Sequence, residues 1–553
     1  VKKHIVTLFL FSVVVTSGFL CTTIDVAGGS SSTDNGKITG LINREDNLPA
    51  PNTLVILRPS DFDPFRDTIL PCADTTDSEG RYEFDNLPAG MYTIEAVAID
   101  NNYRALVNYV VVDTTTTWVS VASLSEPGRI EVQVPGCATV LKCYVYVPGT
   151  SCFGELSDGI GHLDSVPAGY IPVVYYVDQK NQNIHSVKSG ITLAAGETRV
   201  IADYSGWNYS KKIVLNTTQS GAGISGNVFY FPILIRLSDI NFDFELAQPD
   251  GSDLRFKKSD DTPLPFEIEH WDTENKHAEL WVRVDTVYGN QDDQYFVMYW
   301  GNPDVHSVAT GQSVFDTAKG FQGVWHLAEA GGTTAFDATR NGYNGTPSGM
   351  TDLSTVTGII GNALDFDGKG SYIAMDNTAE SNINFPEDGH YSVSLWASAD
   401  SIDTIWHGIV SKGHRQYYLQ YKCFYDTTSS WEFVEYQNRG GWEFSEYRKT
   451  PAPGIRQWVY LTGVRDGNRQ YLYINGEQVL DTALLNPNSE ERTGSDFAIG
   501  CHFNLTVLPQ IKGYSFFDGK IDEVRIMSSV PCADWIKLCY MNQKKENALV
   551  VFR

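Results

Sequence analysis

Two groups of side chains in this sequence have the types and spacing to do chemistry. In Glu267-Ile268-Glu269-His270-Trp271-Asp272 two acids stand two positions apart. On a β-strand such positions share a face, and a retaining glycosidase uses two carboxyl groups about 5–5.5 Å apart. The second group is aromatic. Trp431-Glu432-Phe433-Val434-Glu435-Tyr436 is echoed by Trp442-Glu443-Phe444-Ser445-Glu446-Tyr447 across Gln437-Asn438-Arg439-Gly440-Gly441. The spacing predicts a β-hairpin around an Asn/Gly turn. Trp431, Phe433 and Glu435 would share one face, and Glu432, Val434 and Tyr436 the other. Flat rings stack on C–H-rich sugar faces while polar neighbours take the hydroxyls. Trp406, Tyr418, Trp431, Tyr436, Trp442 and Tyr447 are therefore the candidate carbohydrate-binding residues, although such rings also fill sandwich cores or pair across strands.

Other catalytic constellations are missing. The 11 histidines, His326, His407, His414 and His502 among them, show no His-Glu-x-x-His spacing. There is no Gly-x-Ser-x-Gly elbow and no phosphate-cradling glycine loop. The expectation is a chain that binds rather than catalyses.

Strands must carry these residues. The sequence holds 12 Trp, 29 Tyr and 27 Phe, and ring-rich chains suit sandwiches and barrels. At 553 residues it is too long for one core, and roughly one domain per 150 residues predicts three to five. Residues 37–125 alternate like strands between Pro, Gly and Asp turns. Gly80, Asp85, Pro88 and Gly90 are answered by Gly159, Asp164, Pro167 and Gly169 at an offset of 79. A repeat of that length predicts two similar sandwiches, 37–125 and 126–205. Later runs such as Tyr391–Trp396, Trp458–Val464 and Gln470–Gly476 read as strands with one buried face. Asp534–Tyr540 is the one clear short helix.

Charge narrows the partners. Lys plus Arg number 41 against 67 Asp plus Glu, a formal net charge of −26. Nucleic acid and anionic membrane surfaces are disfavoured. Excess acid serves solubility or clusters to bind Ca²⁺.

At the N-terminus Lys2 and Lys3 precede an apolar run from Ile5 to Val15, then Thr16-Ser17-Gly18-Phe19-Leu20-Cys21. This reads as a secretory signal over 1–21, too short to span a membrane comfortably, followed by a flexible tether over 22–36. Eight cysteines remain beyond Cys21, which in an exported protein permits disulfides. Cys137, Cys143 and Cys152 are neighbours, as are Cys532 and Cys539.

Resemblances add to this reading. Cys21 resembles the acylated cysteine of bacterial lipoproteins, although Leu20 stands where a small residue is usual; cleavage after Ser17 or Gly18 is the other reading. Gly80–Tyr92 resembles the carboxypeptidase-regulatory-like β-sandwich of bacterial surface proteins, which implies a spacer or, as in some relatives, starch binding. Residues 206–314, through Gly206-Trp207-Asn208-Tyr209, Leu264-Pro265-Phe266-Glu267 and Phe296–Pro303, resemble an all-β bacterial domain family of unknown function. That family commonly precedes a laminin-G-like jelly roll. Residues 315–553, through Val324–Glu329, Gly361–Gly368 and Phe517–Ile526, resemble that laminin-G-like, concanavalin-A-like jelly roll.

The resemblance implies a Ca²⁺ site, with Glu329, Asp337 and Asp522 as its metal ligands. Glu267–Asp272 also resembles, loosely, the Glu-Ile-Asp-x-x-Glu strand of laminarinase-type glycoside hydrolases, with Glu and Asp exchanged at two positions. The fold expected is all-β: tandem small β-sandwiches, an all-β domain and a C-terminal jelly roll. The function expected is non-catalytic binding of a polysaccharide or adhesion, at the outer membrane through a lipid anchor or as a secreted protein. A structural or protein-binding surface component and a glycoside hydrolase are the alternatives.

Overall fold

The computed structural model of the chain describes residues 36–68, 71–135, 143–178, 183–375, 381–385, 389–400, 405–413, 416–423, 429–435, 445–449, 455–483, 496–503 and 513–553. The signal segment, the tether and Cys21 lie outside the described residues. Strands dominate throughout, with two short α-helices among the described residues, Gly311–Val314 and Ala533–Gln543. The fold is all-β, as the alternation predicted. None of the described helices is long and apolar enough to cross a membrane. The chain divides at Asp203 into two units.

In the first unit, Gly36–Asn43 buries every second residue, so one face meets a core and the other stays wet. It lies between Arg81–Leu87 and the short strand Thr116–Trp118. A second four-stranded sheet runs Cys72–Thr75, Thr53–Pro59, Gly90–Ala98, Arg104–Val112. Ile38, Val55, Tyr82, Ile94 and Val112 belong to one core. A seven-stranded sheet from Gly128 to Ala202 follows, with a core of its own around Ile130, Val145, Leu163 and Ile171.

The repeat is visible in the backbone. Gly80 and Gly159 have φ of 76° and 77°, and Asn86 and Ser165 have φ of 61° and 55°. The motif thus bends both copies at the same points. Glu95 joins the two sandwiches: fully buried, it accepts from Arg58 (2.7 Å), Arg104 (2.8 Å) and the Ser151 hydroxyl (2.8 Å).

The second unit begins with a sandwich of Arg255–Lys258, Tyr295–Trp300 and Tyr209–Leu215 against Val228–Ser238, His277–Val287 and Phe266–Asp272. Its first sheet is completed by Val550–Phe552, which pairs antiparallel with Tyr209–Leu215. A jelly roll follows. One sheet runs from Thr355–Thr357 through Asn362–Asp367, Asp518–Met527, His390–Ala399, Val459–Asp466 and Arg469–Ile474 to Glu477–Ala483, with Phe321–Trp325 also on Asp518–Met527. The other is Gly345–Ser348, Tyr372–Met375, Phe497–Ile499, Trp406–Lys412, Tyr417–Cys423, Ser429–Val434, Ser445–Lys449.

The expectation of one buried face fails for His390–Ala399 and Val459–Asp466, where almost every residue is buried. Leu395 and Leu461 fill the jelly-roll core, whereas Trp396, Tyr460 and Val464 join the core of the preceding sandwich. Helix Ala533–Gln543 belongs to that same core through Trp535, Ile536, Leu538 and Cys539. Its Asn542 amide accepts from Leu234 N (2.7 Å) and donates to Leu234 O (3.0 Å). Both domains of this unit therefore contribute to that core, while the jelly roll keeps a second core of its own.

Cys72 and Cys143 each take part in a disulfide. Cys532 and Cys539 are free thiols, contrary to the local pairing their spacing suggested. Seven residues of helix put them roughly 10 Å apart, beyond the reach of a disulfide. Cys152 is also a free, buried thiol.

Candidate functional site

The seven-stranded sheet of the jelly roll has two unlike faces. One buries Ile409, Tyr417, Leu419, Tyr421, Trp431 and Phe433. The other follows from the register: Trp406 pairs with Lys422 and Lys422 with Ser430; Gly408 pairs with Gln420 and Gln420 with Glu432. Cross-strand partners share a face, so these residues form two adjacent polar rows. Gln420 Nε2 donates to Glu432 Oε2, and Ser430 Oγ donates to Glu432 Oε1 at 2.9 Å. The Lys422 ammonium lies 4.6 Å from the Trp406 ring centroid, and that indole remains 45% exposed. Gly408 leaves room for His502, since a Cβ there would lie 2.4 Å from His502 Cδ2. His502 in turn packs on Tyr418 at 4.6 Å. At the end of the strand, burial pushes the Lys412 ammonium down to about 8.

The hairpin has the expected register, with Trp431 opposite Tyr447 and Phe433 opposite Ser445. Its faces are assigned differently from the sugar-binding expectation. Trp431 is 1% exposed and packs on Tyr421 at 4.8 Å, so it is a core ring. Tyr418 is buried as well. Neither offers a free face to a sugar. Tyr436 and Trp442 lie outside the described residues, as does the side chain of Tyr447. Among the described residues of the set, Trp406 is the exposed ring.

The acids expected to hold Ca²⁺ each accept hydrogen bonds from the protein, while Glu329 Oε2 and Asp522 Oδ1 are left without a partner. Asp337 spends both oxygens on its own loop, accepting from Val324 N, Thr339 N, Thr339 Oγ1 and Tyr343 N at 2.9–3.0 Å. Glu329 accepts from Phe336 N. Asp522 accepts from Ile359 N and Ile360 N, at 2.8 and 3.1 Å. These three do not converge; the one group of three possible metal ligands among the described residues is Glu269, His326 and Glu523.

That group sits where the two domains of the second unit meet. His326 Nδ1 is 2.5 Å from Glu523 Oε1 and 3.4 Å from Glu269 Oε2, and its Nε2 is 3.3 Å from Glu267 Oε2. Trp281 Nε1 donates to Glu269 Oε2 at 2.5 Å, and Arg525 Nη2 to Glu523 Oε2 at 2.5 Å. Burial and the nearby Glu523 push the Glu269 carboxyl well above the usual range. Burial opposes charge on His326 too, but Glu523, Glu269 and Glu267 together raise it well above an ordinary histidine. Burial likewise works against the Glu523 carboxylate, yet His326 and Arg525 hold it low.

Glu267 and Glu269, the pair with glycosidase spacing, are thus turned onto a histidine and a tryptophan at a domain junction. His326 and Glu523 carried no spacing motif. Their signal was weaker: a histidine inside the apolar run Val324–Leu327 and an acid in the charged strand segment Ile521–Ile526.

Comparison with known proteins places these parts. Residues 367–537 match the Concanavalin A-like lectin/glucanases superfamily, and residues 250–328 match a Domain of unknown function (DUF2341). The C-terminal part is therefore a concanavalin-A-like domain, a class that fits carbohydrate binding. No curated protein matches the chain. Among solved structures the chain is similar to domain 4 of AbnA, a GH43 extracellular arabinanase from Geobacillus stearothermophilus, in complex with arabinotriose. That likeness has 18% identity and a TM-score of 0.30, over 39% of this chain and 97% of that one. It is also similar to the botulinum neurotoxin serotype D binding domain, with 14% identity and a TM-score of 0.30 over 40% of this chain and 52% of that one. A Trypanosoma rangeli sialidase gives 10% identity and a TM-score of 0.31, over 86% and 65%. Scores this low carry no argument about function.

Proposed function

We propose that the chain is a non-catalytic carbohydrate-binding protein acting through its C-terminal jelly roll, displayed or secreted outside the cell. One observation carries the reading. The half-exposed Trp406 indole, with the Lys422 ammonium 4.6 Å from its ring centroid, stands on the polar face of a concanavalin-A-like sheet, whose Ser430, Gln420 and Glu432 are buried. A flat apolar ring beside a charged hydrogen-bond donor suits a pyranose or furanose ring, since each sugar has a C–H face and a hydroxyl rim. Export and a lipid anchor on Cys21 rest on the N-terminal sequence. The tandem sandwiches would then act as a spacer, and adhesion would follow from glycan binding by a displayed domain.

The test is a polysaccharide and glycan array probed with the full chain and with Trp406→Ala. Retention on at least one glycan by the wild type, lost in the variant, supports the reading. Failure to bind any glycan would sink it, and release of reducing ends from a bound polysaccharide would replace it with a hydrolase.

A further inference from the structure

We propose that Glu269, His326 and Glu523 form a binding site for a divalent cation of the zinc type at the junction of the two domains of residues 204–553. The site is independent of the carbohydrate reading. One ligand atom from each residue lies within 4.8 Å of the other two. Zinc takes imidazole nitrogen and carboxylate oxygen at about 2.0–2.2 Å, which sets tetrahedral ligands about 3.4 Å apart. His326 Nδ1 and Glu269 Oε2 already stand 3.4 Å apart. His326 Nδ1 and Glu523 Oε1 are hydrogen-bonded at 2.5 Å. A cation between them requires the pair to open by about 0.9 Å, which a carboxylate rotation supplies.

Each ligand also has the outer partner that fixes a metal ligand's orientation. Glu267 faces the other nitrogen of His326, Trp281 anchors Glu269, and Arg525 anchors Glu523. A separate observation points to an additional ligand. Glu269 Oε1 has no hydrogen-bond partner, although the side chain is 1% exposed. A buried carboxylate oxygen left unpaired is costly, and a cation held by both oxygens of Glu269 would satisfy it.

Four carboxyl side chains, Glu267, Glu269, Asp522 and Glu523, and two guanidiniums, Arg236 and Arg525, act on this point. Glu279, which also faces Arg236, is paired with His270 and His277. Entry is from the Glu267–His326 side, the less buried edge of the cluster. Zinc bound by three protein ligands keeps a fourth position for water or another donor.

The experiment titrates Zn²⁺ into the tag-free full chain after EDTA treatment and dialysis, by calorimetry, with metal content measured on the product. The expected result is one Zn²⁺ per chain and a melting temperature that rises with Zn²⁺. Glu269→Gln and Glu523→Gln keep the side-chain volumes and should each weaken binding at least about tenfold, and Trp281→Phe should weaken it by about tenfold or more. Should either Gln variant not fold, X-ray absorption on the zinc-loaded wild type decides. A shell containing one imidazole and carboxylate oxygens supports the site, and an all-oxygen shell overturns it. Absence of stoichiometric binding by the folded wild type overturns it as well, as does undiminished binding by a folded Glu269→Gln chain.

Discussion

Glu269 and Glu523 meet at His326 because each occupies a bulge in its own strand. In Phe266–Asp272 the pairing steps from Ile268–Leu280 to His270–Glu279, leaving Glu269 as the extra residue. In Asp518–Met527 the pairing steps from Trp396–Asp522 to Ser394–Arg525, and Glu523 there has φ of 55°. A bulge turns a side chain away from the direction the strand pleat would give it. Leu327, directly after His326, also has positive φ, at 61°. Left-handed backbone at non-glycine residues persists where the surroundings over-determine it. Here the surroundings are the shared core of two domains.

Trp406 and Trp431 lie on opposite faces of one sheet, two strands apart, and have opposite roles. Trp406→Ala should reduce glycan affinity by about tenfold, the equivalent of about 1.4 kcal/mol, and change unfolding free energy by less than about 0.5 kcal/mol. Trp431→Ala should cost about 3–5 kcal/mol in urea unfolding. If the two variants show the same pattern, the assignment of faces is wrong.

The Arg525–Glu523 pair is fully buried, with Arg525 also 4.3 Å from the Trp281 ring centroid. Removing the cation leaves a buried carboxylate partly uncompensated, so Arg525→Met should destabilise the second unit by about 3–5 kcal/mol. The check is denaturant unfolding followed by tryptophan fluorescence.

Asn542 tests whether the helix and the first sandwich of the second unit unfold together. Its amide satisfies both backbone groups of Leu234. Asn542→Ala strands a buried N–H and a buried C=O, and should cost about 2 kcal/mol or more. Hydrogen exchange should quicken along Val228–Ser238. Exchange that quickens only within the helix would show the two elements to be uncoupled.

Asp367 provides a pH signature. Partial burial works against its charge, but the N–H groups of Lys369, Gly370 and Ser371 and the Ser371 hydroxyl hold its carboxyl below the usual carboxylate range. A folded-state value below the unfolded one, about 3.9, stabilises fully above that pH and is lost as pH falls through the folded value. Asp367→Asn should therefore be less stable than wild type at neutral pH, with the gap closing below about pH 4. Urea midpoints measured from pH 7 down to acid conditions read this directly.

Much of the architecture is local information. Period-two alternation and Gly, Pro and Asn turns specify strands wherever they occur. The repeat at an offset of 79 recurs as matching left-handed φ at Gly80 and Gly159. The echo across 437–441 set the Trp431–Tyr447 register, because a hairpin turn fixes pairing. The helix near 534–540 was legible from its pattern. Which face of each strand met water was not. Alternation says that two faces differ; only packing says which is covered, and by what. Trp431 faces inward because the opposing sheet covers it. His390–Ala399 is buried on both faces because a neighbouring domain lies on its outer side. The carboxylate pair at 267 and 269 was visible as a motif, but its partner His326 arrives from the next domain and Glu523 from near the end of the chain. Their charges couple only because tertiary packing brings them together in a place water barely reaches, where electrostatic interactions are strong. The sequence by itself determined strands, repeat and register; the tertiary structure decided which polar residues are buried together.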